Sequence, residues 1–423
     1  MIAGIAPILI ALAALLLRLF DLGKIQSLIF DEVYYVDGAR DYLNHGVEIS
    51  GAKAEFVVHP PVGKWLIASG IKLFGDSGFG WRIATAVIGS LSILLIGMIA
   101  KRLFQSPLLA ALASGLMALD GLALVHSRTA LLDNFLTFFI LVATYFFIRK
   151  QYWWVGIALG LAIGTKWSGL YFLAAFGVIA LYRAFTHHSG TALIKPTLHR
   201  VIQFLIIPVI TYVASWIGWF ASDRGWDRDY STNPFTSLIY YHQQILNFHT
   251  TLTEKHPYEA NPWSWLIMGR PTSFFYETPK TCGASQCSQE ILALGTPLLW
   301  WAGVFAIAIT FGYYLYQRDR SALLILIAIG ANYLPWFLFQ KRTMFYFYAI
   351  SFEPFLILAL VFVIWKALEN PDLSPLLVQR RRQLTFGALA LIGLCFLYFL
   401  PVYLGIELPY DSWYSRMWLP SWI

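Results

Sequence analysis

Long runs of apolar residues, separated by short polar segments, form the main pattern along this 423-residue chain. A helix that crosses a bilayer needs about 20 mostly apolar residues. On that basis the pattern predicts about eleven spans, near residues 3–20, 82–100, 107–125, 130–148, 152–165, 167–183, 201–220, 296–316, 322–339, 343–366 and 384–404. The fifth and sixth spans are short and meet at Lys166. The sequence therefore predicts an all-α polytopic membrane protein.

Two long polar segments interrupt the apolar runs, at residues 21–81 and 221–295. They suggest three regions: an N-terminal membrane region over 1–220, a long loop over 221–295 and a C-terminal membrane region over 296–423. The first apolar run lacks a preceding basic segment and a convincing cleavage site. We therefore expect it to be a retained first helix.

The number and position of the charged residues indicate how the chain is oriented in the membrane. Hydrophobic residues make up 58% of the sequence and charged residues only 13%, against about 25% charged in a soluble protein. Basic residues cluster in short segments between spans, namely Lys101–Arg102, Arg149–Lys150, Arg318–Arg320 and Arg380–Arg382. The positive-inside rule then places both long loops on the extracytoplasmic side. No basic soluble module is present, so nucleic acid is not expected as a partner.

Two of the three cysteines, Cys282 and Cys287, lie close together in the second long loop. A disulfide is compatible with an oxidising compartment, and two free thiols are the alternative. Cys395 lies in an apolar run and is interpreted as a packing residue.

Two adjacent carboxylates, Asp31 and Glu32, follow the first span in a chain that is otherwise poor in charge. Neighbouring side chains on a helix point about 100° apart. We therefore expect one carboxylate in a site and the other paired elsewhere. The alternative is a solvated helix N-terminus, which the helix dipole favours.

A set of cationic residues shares the predicted outer level of Asp31. Any one of them could be an interfacial anchor whose charged end reaches the headgroups. Together they indicate a site for an anionic head group. The set comprises His59, Lys64, Arg82, Arg128, Lys166 and Arg342, with Asp133 expected to hold Arg128 in place.

The motifs around these residues resemble the protein O-mannosyltransferase family. They are Asp31-Glu32, the His-Pro-Pro-x-Gly-Lys run over 59–64, Ser-Arg-x-x-Leu-Leu-Asp over 127–133, His256-Pro257-Tyr258 with Pro262-Trp263, and the 333–336 and 342–346 segments. The resemblance runs over nearly the whole chain. It implies a GT-C-type glycosyltransferase with about eleven transmembrane helices and two long extracytoplasmic loops. Eukaryotic members carry a β-trefoil (MIR) insertion for which 221–295 has no room, so the chain resembles the bacterial branch.

The resemblance also implies a reaction, an inverting transfer of mannose from a polyprenyl-phosphate-mannose lipid to Ser or Thr hydroxyls of proteins. It would take place on the extracytoplasmic side of the cell membrane. Asp31 matches the family's general base, and Glu32 is expected to support the donor site. The cations would stabilise the leaving phosphate, with Arg128 as first candidate because a guanidinium binds two phosphate oxygens.

No metal or other cofactor is expected, because fixed cations can neutralise a monophosphate leaving group. The Asp227-Arg228-Asp229 run is interpreted as a chance D-x-D sequence. Expected partners are the lipid donor, a Ser/Thr-containing protein acceptor and membrane lipid, with secretion machinery as a further candidate. Two alternatives remain open: another transferase of lipid-phosphate sugars, such as the lipid A aminoarabinose type, and a transporter.

Overall fold

The computed structural model describes residues 2–187, 189–368 and 374–423. The described chain is mostly helical. Its N-terminal helices are α1 Ile2–Leu19, α2 Glu32–His45, α3 Val62–Phe74, α4 Gly78–Phe104, α5 Pro107–Ala118, α6 Gly121–His126, α7 Leu132–Ile148, α8 Tyr152–Ile163, α9 Gly169–His187, α10 Ile194–Val201, α11 Ile207–Ala214 and α12 Ile217–Ala221. A π-helical segment, Ile202–Ile206, joins α10 to α11.

The remaining helices belong to the second long loop and the C-terminal region. They are α13 Pro234–Thr251, α14 Pro262–Trp265, α15 Pro297–Gln317, α16 Arg320–Tyr333, α17 Glu353–Leu368, α18 Pro375–Leu404 and α19 Tyr410–Tyr414. Short 3₁₀ helices, Leu334–Phe339 and Tyr346–Ser351, flank the segment that carries Arg342. In the first long loop, α3 begins directly after the two prolines Pro60 and Pro61.

Six helices of the described chain are long and apolar enough to cross a membrane, namely Gly78–Phe104, Gly169–His187, Gly190–Ala214, Pro297–Gln317, Arg320–Phe339 and Pro375–Leu404. Each overlaps a predicted span, although Gly190–Ala214 begins eleven residues before the predicted span 201–220. The other five predicted spans coincide with shorter helices or with paired short helices, such as α5 with α6. The prediction of a polytopic helical membrane protein is confirmed, whereas the total of eleven spans stays a prediction.

Small residues let two of the membrane helices approach closely. A Cβ atom on Gly156 would lie 2.2 Å from the carbonyl oxygen of Gln203, and one on Gly160 would lie 2.6 Å from Cβ of Thr211. These glycines of α8 therefore permit contact with the π-helical segment and α11, because any larger side chain would collide with the facing helix. The four-residue spacing of these glycines places both on the face of α8 that packs against this neighbouring segment.

The long loops contribute small sheets and a second core. Strands β1 Ile49–Ser50 and β2 Lys53–Ala54 form an antiparallel pair, and β3 Thr272–Glu277, β4 Cys287–Ala293 and β5 Leu408–Pro409 form a three-stranded antiparallel sheet. A disulfide joins Cys282 to Cys287, the first residue of β4. A core separate from the main one, built from Val47, Ile49, Trp216, Trp219, Leu238, Tyr241 and Ile245, joins the first loop to α13.

Candidate active site

The break between α8 and α9 creates the charged centre of the site. Lys166 lies in this break, and its Nζ donates to both carboxylate oxygens of Asp133 at 3.0 and 2.8 Å. The ammonium also lies 4.9 Å from the ring centre of Tyr348. The expectation that Asp133 holds Arg128 is wrong, because the start of α7 directs this carboxylate towards Lys166.

A cavity of about 230 Å³ opens beside this ion pair. Its aromatic lining residues include Trp167, Tyr171, Trp336, Phe339 and Tyr348. The charged lining residues are Asp133, Lys166 and Arg342, two cations and one carboxylate. The described wall therefore carries an excess of one positive charge, which suits an anionic ligand with a bulky organic part.

Four residues of the cavity wall have a buried polar atom without a hydrogen-bond partner among the described residues. Buried polar groups are nearly always paired, so several unpaired groups around one cavity mark a site for a polar ligand. Three of them offer nitrogen atoms and one offers an amide oxygen. The atoms are His59 Nδ1, Asn332 Oδ1, Trp336 Nε1 and Arg342 Nε.

Asp31 lies next to this cavity, at the entrance to α2. The Tyr35 hydroxyl donates to its Oδ2 at 3.4 Å, and the Tyr35 ring lies 5.9 Å from that of His59. Burial raises the pKa of Asp31 to about 6, against the opposing effect of the Lys166 charge and with a further increase from Asp133. This carboxylate is thus ionised at neutral pH and is able to accept a proton.

The backbone at Phe30 sets the direction of Asp31. Phe30 has a φ of 47°, which is uncommon for a bulky residue. Such strained backbone conformations persist only where the surrounding structure fixes them, and they are frequent at functional sites. Its ring stacks on Phe274 at 4.8 Å and contacts Phe347 at 5.5 Å edge to face. Packing against these two residues from distant segments holds the turn that presents Asp31.

Glu32 faces away from Asp31 into a fully paired environment. Its Oε1 accepts from Arg82 Nε at 2.8 Å and from the backbone N–H of Ala130 at 2.8 Å. Its Oε2 accepts from Arg82 Nη2 at 2.7 Å and from the backbone N–H of Ile29 at 3.0 Å. The side chain is buried, so Glu32 joins the Asp31 turn to α4 and to the turn before α7.

The remaining predicted cations lie outside the cavity wall. Lys64 forms a buried ion pair with Glu48, and Arg82 pairs with Glu32. Arg128 donates from Nη1 to the carbonyl oxygens of Leu17, Arg18 and Phe20 at 3.3, 2.8 and 2.6 Å, where it caps the end of α1. The structure therefore brings His59, Asp133, Lys166 and Arg342 together around one cavity, with Asp31 beside it.

Sequence reasoning missed His249, which lines the cavity from α13. Its Nδ1 lies 3.3 Å from Arg342 Nη2. A hint was present in the sequence, since His242 and His249 are seven residues apart and share a helix face. Nothing local connected that face with Lys166 or Arg342.

Comparison with known proteins gives the family. Residues 72–219 match the family described as dolichyl-phosphate-mannose-protein mannosyltransferase, and residues 234–422 match the C-terminal four TMM region of protein-O-mannosyltransferase. A polyprenol-phosphate-mannose–protein mannosyltransferase of Mycobacterium tuberculosis is 33% identical over 98% of this chain and 91% of its own length. The chain belongs to the protein O-mannosyltransferase family. The resemblance drawn from the motifs is confirmed.

A further relative and two solved structures are also similar to this chain. A relative of the same name from Corynebacterium glutamicum is 32% identical, over 98% of this chain and 92% of its own length. Among solved structures, the Saccharomyces cerevisiae Pmt1–Pmt2 complex bound to the sugar donor matches with a TM-score of 0.84, covering 100% of this chain and 93% of that chain at 16% identity. ArnT from Cupriavidus metallidurans bound to undecaprenyl phosphate matches with a TM-score of 0.58 and 17% identity, over 92% of this chain and 64% of that chain. These similarities give the fold.

Proposed function

We propose that this protein transfers mannose from a polyprenyl-phosphate-mannose lipid to Ser and Thr hydroxyls of proteins at the extracytoplasmic face of the cell membrane. Family membership supports the glycosyltransferase class, and the names of the bacterial relatives support this donor and acceptor. The observation that carries the proposal at the level of residues is the cavity beside Asp31. Its wall has one excess positive charge and four unpaired polar atoms.

The donor suits this cavity by its charge and by the aromatic character of the lining. A polyprenyl-phosphate-mannose is a phosphodiester with one negative charge, which matches the excess charge of the wall. Lys166 and the free Nε–H of Arg342 would bind the phosphate oxygens, and Trp336 Nε1 offers a further donor. The aromatic rings suit the sugar faces and the start of the prenyl chain.

The reaction is a single displacement at the anomeric carbon. The acceptor hydroxyl oxygen attacks that carbon from the face opposite the phosphate while its proton passes to a carboxylate oxygen of Asp31. The bond from the anomeric carbon to the phosphate oxygen breaks, and the polyprenyl phosphate leaves with the electron pair. Lys166 and Arg342 stabilise the charge that grows on this leaving group. The anomeric configuration is inverted.

Glu32 is assigned a supporting role in this mechanism. Its oxygens already accept four hydrogen bonds, two of them from a guanidinium, so it is a poor proton acceptor. Arg82 and Lys64 act through their partners Glu32 and Glu48 by fixing the first loop. Arg128 stays a candidate for the phosphate, although its contacts favour capping of α1.

The proposal also includes eleven membrane spans, an extracytoplasmic position for both long loops and a location in the plasma membrane. The disulfide in the second loop supports an oxidising compartment for that side. Protein acceptors that emerge from the secretion machinery would meet the site there, and membrane lipid would surround the donor chain.

A transfer assay with purified protein tests the function. We expect a Ser/Thr peptide to gain an α-linked mannose when incubated with polyprenyl-phosphate-mannose, and to do so equally in EDTA because Lys166 and Arg342 provide the charge. Loss of transfer in EDTA that Mn²⁺ restores would contradict the metal-free mechanism. Transfer to lipid A with no transfer to peptide would favour the aminoarabinose-transferase alternative, and uptake by vesicles without lipid donor would favour transport.

A further inference from the structure

His249 connects the two outer loops to the cation Arg342. We infer that His249 is a positioning residue, a neutral imidazole that accepts a hydrogen bond from the Arg342 guanidinium and holds it towards the donor phosphate. The inference rests on the proposed function, in which Arg342 binds that phosphate. It adds a residue that lies on α13, outside every motif of the sequence.

The partners of His249 fix its protonation state. Its Nε2 lies 3.1 Å from the carbonyl oxygen of Val58, which only accepts hydrogen bonds. Nε2 therefore carries the proton and donates it. Its Nδ1 lies 3.3 Å from Nη2 of Arg342, which only donates. Nδ1 therefore provides a lone pair, and both contacts are satisfied together only by the neutral Nε2–H tautomer.

The electrostatic surroundings agree with this assignment. Burial, and then the charge of Arg342, lower the pKa of His249 to about 4, against the opposing effect of the hydrogen bond to the Val58 carbonyl. A protonated imidazole would face the guanidinium with a second donor and a second charge. At neutral pH the ring thus acts as an acceptor, which a lysine or arginine at this position could not do.

The orientation of Arg342 is set from two sides. Its Cζ lies 5.9 Å from the ring centre of Trp336, and His249 holds Nη2. The buried Nε of Arg342 remains without a partner among the described residues. One edge of the guanidinium is thus fixed by protein, and another donor is left for an anion. A guanidinium binds phosphate in a defined direction, so this fixation reduces the ordering cost of binding.

The location of His249 is itself rigid. Tyr241 of α13 donates to the carbonyl oxygen of Val57 at 2.8 Å and accepts from its N–H at 3.1 Å. The ring of Trp167, adjacent to Lys166, lies 5.8 Å from that of His249. Position 249 therefore links the loop that carries His59, the break that carries Lys166 and the segment that carries Arg342.

Three substitutions separate the hydrogen bond from simple packing. His249→Phe keeps a ring beside Trp167 and removes both hydrogen bonds. His249→Asn loses the ring but places an amide oxygen near the Nδ1 position, where it can accept from Arg342. His249→Gln places its amide near the Nε2 position, where it can donate to the carbonyl oxygen of Val58 instead. A packing role predicts that Phe is tolerated and Asn is not, whereas the positioning role predicts the reverse.

The readouts are the Kd for polyprenyl monophosphate and the kinetics of mannosyl transfer. We expect His249→Phe and His249→Gln to weaken polyprenyl-phosphate binding about tenfold, the loss typical of a hydrogen bond to a charged group. Donor kcat/KM should fall in parallel, while the KM for the acceptor peptide should not change. His249→Asn should retain most of the affinity. In an Arg342→Ala background, His249→Phe should have no further effect on Kd.

His242 provides the matched control. It lies on the same face of α13, and its ring stacks on that of Trp167. It is hydrogen-bonded to the Leu238 carbonyl and the Tyr212 hydroxyl, but it does not contact Arg342. His242→Gln should leave the Kd unchanged. Equal Kd values for the wild type and His249→Phe, or additive losses with Arg342→Ala, would overturn the inference. A wild type that binds polyprenyl phosphate but transfers no mannose would instead contradict the proposed function.

Discussion

Asp31 and Glu32 are neighbours in the sequence but have opposite surroundings. Asp31, beside the cavity, accepts one long hydrogen bond from Tyr35, whereas Glu32 accepts hydrogen bonds from four donor atoms. The difference arises because adjacent positions at a helix start point in different directions. The proposed mechanism accordingly assigns proton transfer to Asp31 and a supporting role to Glu32.

Replacing Asp31 with Asn should nearly abolish transfer, because the amide cannot accept the hydroxyl proton. Loss of a general base typically lowers the rate by about 10² to 10⁴. Binding of polyprenyl phosphate and the apparent Tm in detergent should remain close to those of the wild type. Near-normal kcat in purified Asp31→Asn would rule out this residue as the base.

The pH profile gives a second test of Asp31. The base works only when ionised, so kcat/KM should be level above about pH 6, the pKa of Asp31, and fall tenfold per pH unit below it. Asp133 raises this pKa and Lys166 lowers it. Asp133→Asn should therefore move the acidic limb to lower pH and Lys166→Met should move it to higher pH. If the acidic limb of the pH profile stays at the same pH in both variants, it belongs to a titrating group other than Asp31.

Arg128 distinguishes a phosphate clamp from a helix cap. If Arg128 binds phosphate through two oxygens, Arg128→Lys should lower donor kcat/KM about tenfold or more, since lysine lacks the planar fork. If it only caps α1, as its three carbonyl contacts favour, donor kcat/KM should persist and the apparent Tm should fall. We expect the second result. Arg149→Lys, at the opposite end of α7, is the control and should change neither quantity.

At the scale of elements, the first loop is held by buried ion pairs. Glu32 of α2 pairs with Arg82 of α4, and Glu48 pairs with Lys64 of α3. Both pairs are almost fully buried, so removal of one partner leaves an uncompensated charge. These pairs explain how a loop with few regular strands places Asp31 reproducibly beside α7 and the Lys166 break.

Glu32→Ala should consequently destabilise the protein strongly. Arg82 would keep its buried charge without a carboxylate, a loss of about 3–5 kcal/mol for a broken buried pair. The expected observation is a clearly lower apparent Tm in detergent, together with reduced transfer. Glu259→Ala removes a partner from the exposed pair with Lys255 and should hardly change the Tm. Equal Tm values for both variants would contradict the role assigned to Glu32.

At the scale of the whole molecule, the proposed topology places the short basic loops and the two long loops at opposite ends of the helices. The disulfide of Cys282 and Cys287 lies in the second long loop, and Phe274 of the same loop stacks on Phe30 beside Asp31, so this loop belongs to the end that carries Asp31. A protein that uses a lipid donor needs this end at the membrane surface, where the head group of the donor lies. The side of the membrane is therefore the decisive property to measure.

Cysteine labelling in intact cells tests the sidedness. In a Cys395→Ala background, Cys282 and Cys287 should resist a membrane-impermeant maleimide until an impermeant reductant is added, because the disulfide opens only then. Gln151→Cys, in a short basic loop, should react only after permeabilisation. Labelling of Gln151→Cys in intact cells would invert the proposed topology, and immediate labelling of Cys282 and Cys287 would contradict the disulfide.

The sequence by itself determined the helical membrane architecture. Lipid offers no partners for backbone groups, so apolar runs of sufficient length must become helices, and their positions are readable directly. The family was readable as well, because its motifs are local strings such as the one that begins at His59.

Only the tertiary structure decided which charged residues share a site. Arg128 and Lys166 look equivalent along the chain, yet Arg128 meets the end of α1, whereas Lys166 meets Asp133 and the cavity. His249 becomes part of the site only because α13 packs on the first loop. Such partners are separated by tens to hundreds of residues and are chosen by packing between elements, which leaves no local pattern from which they could be predicted.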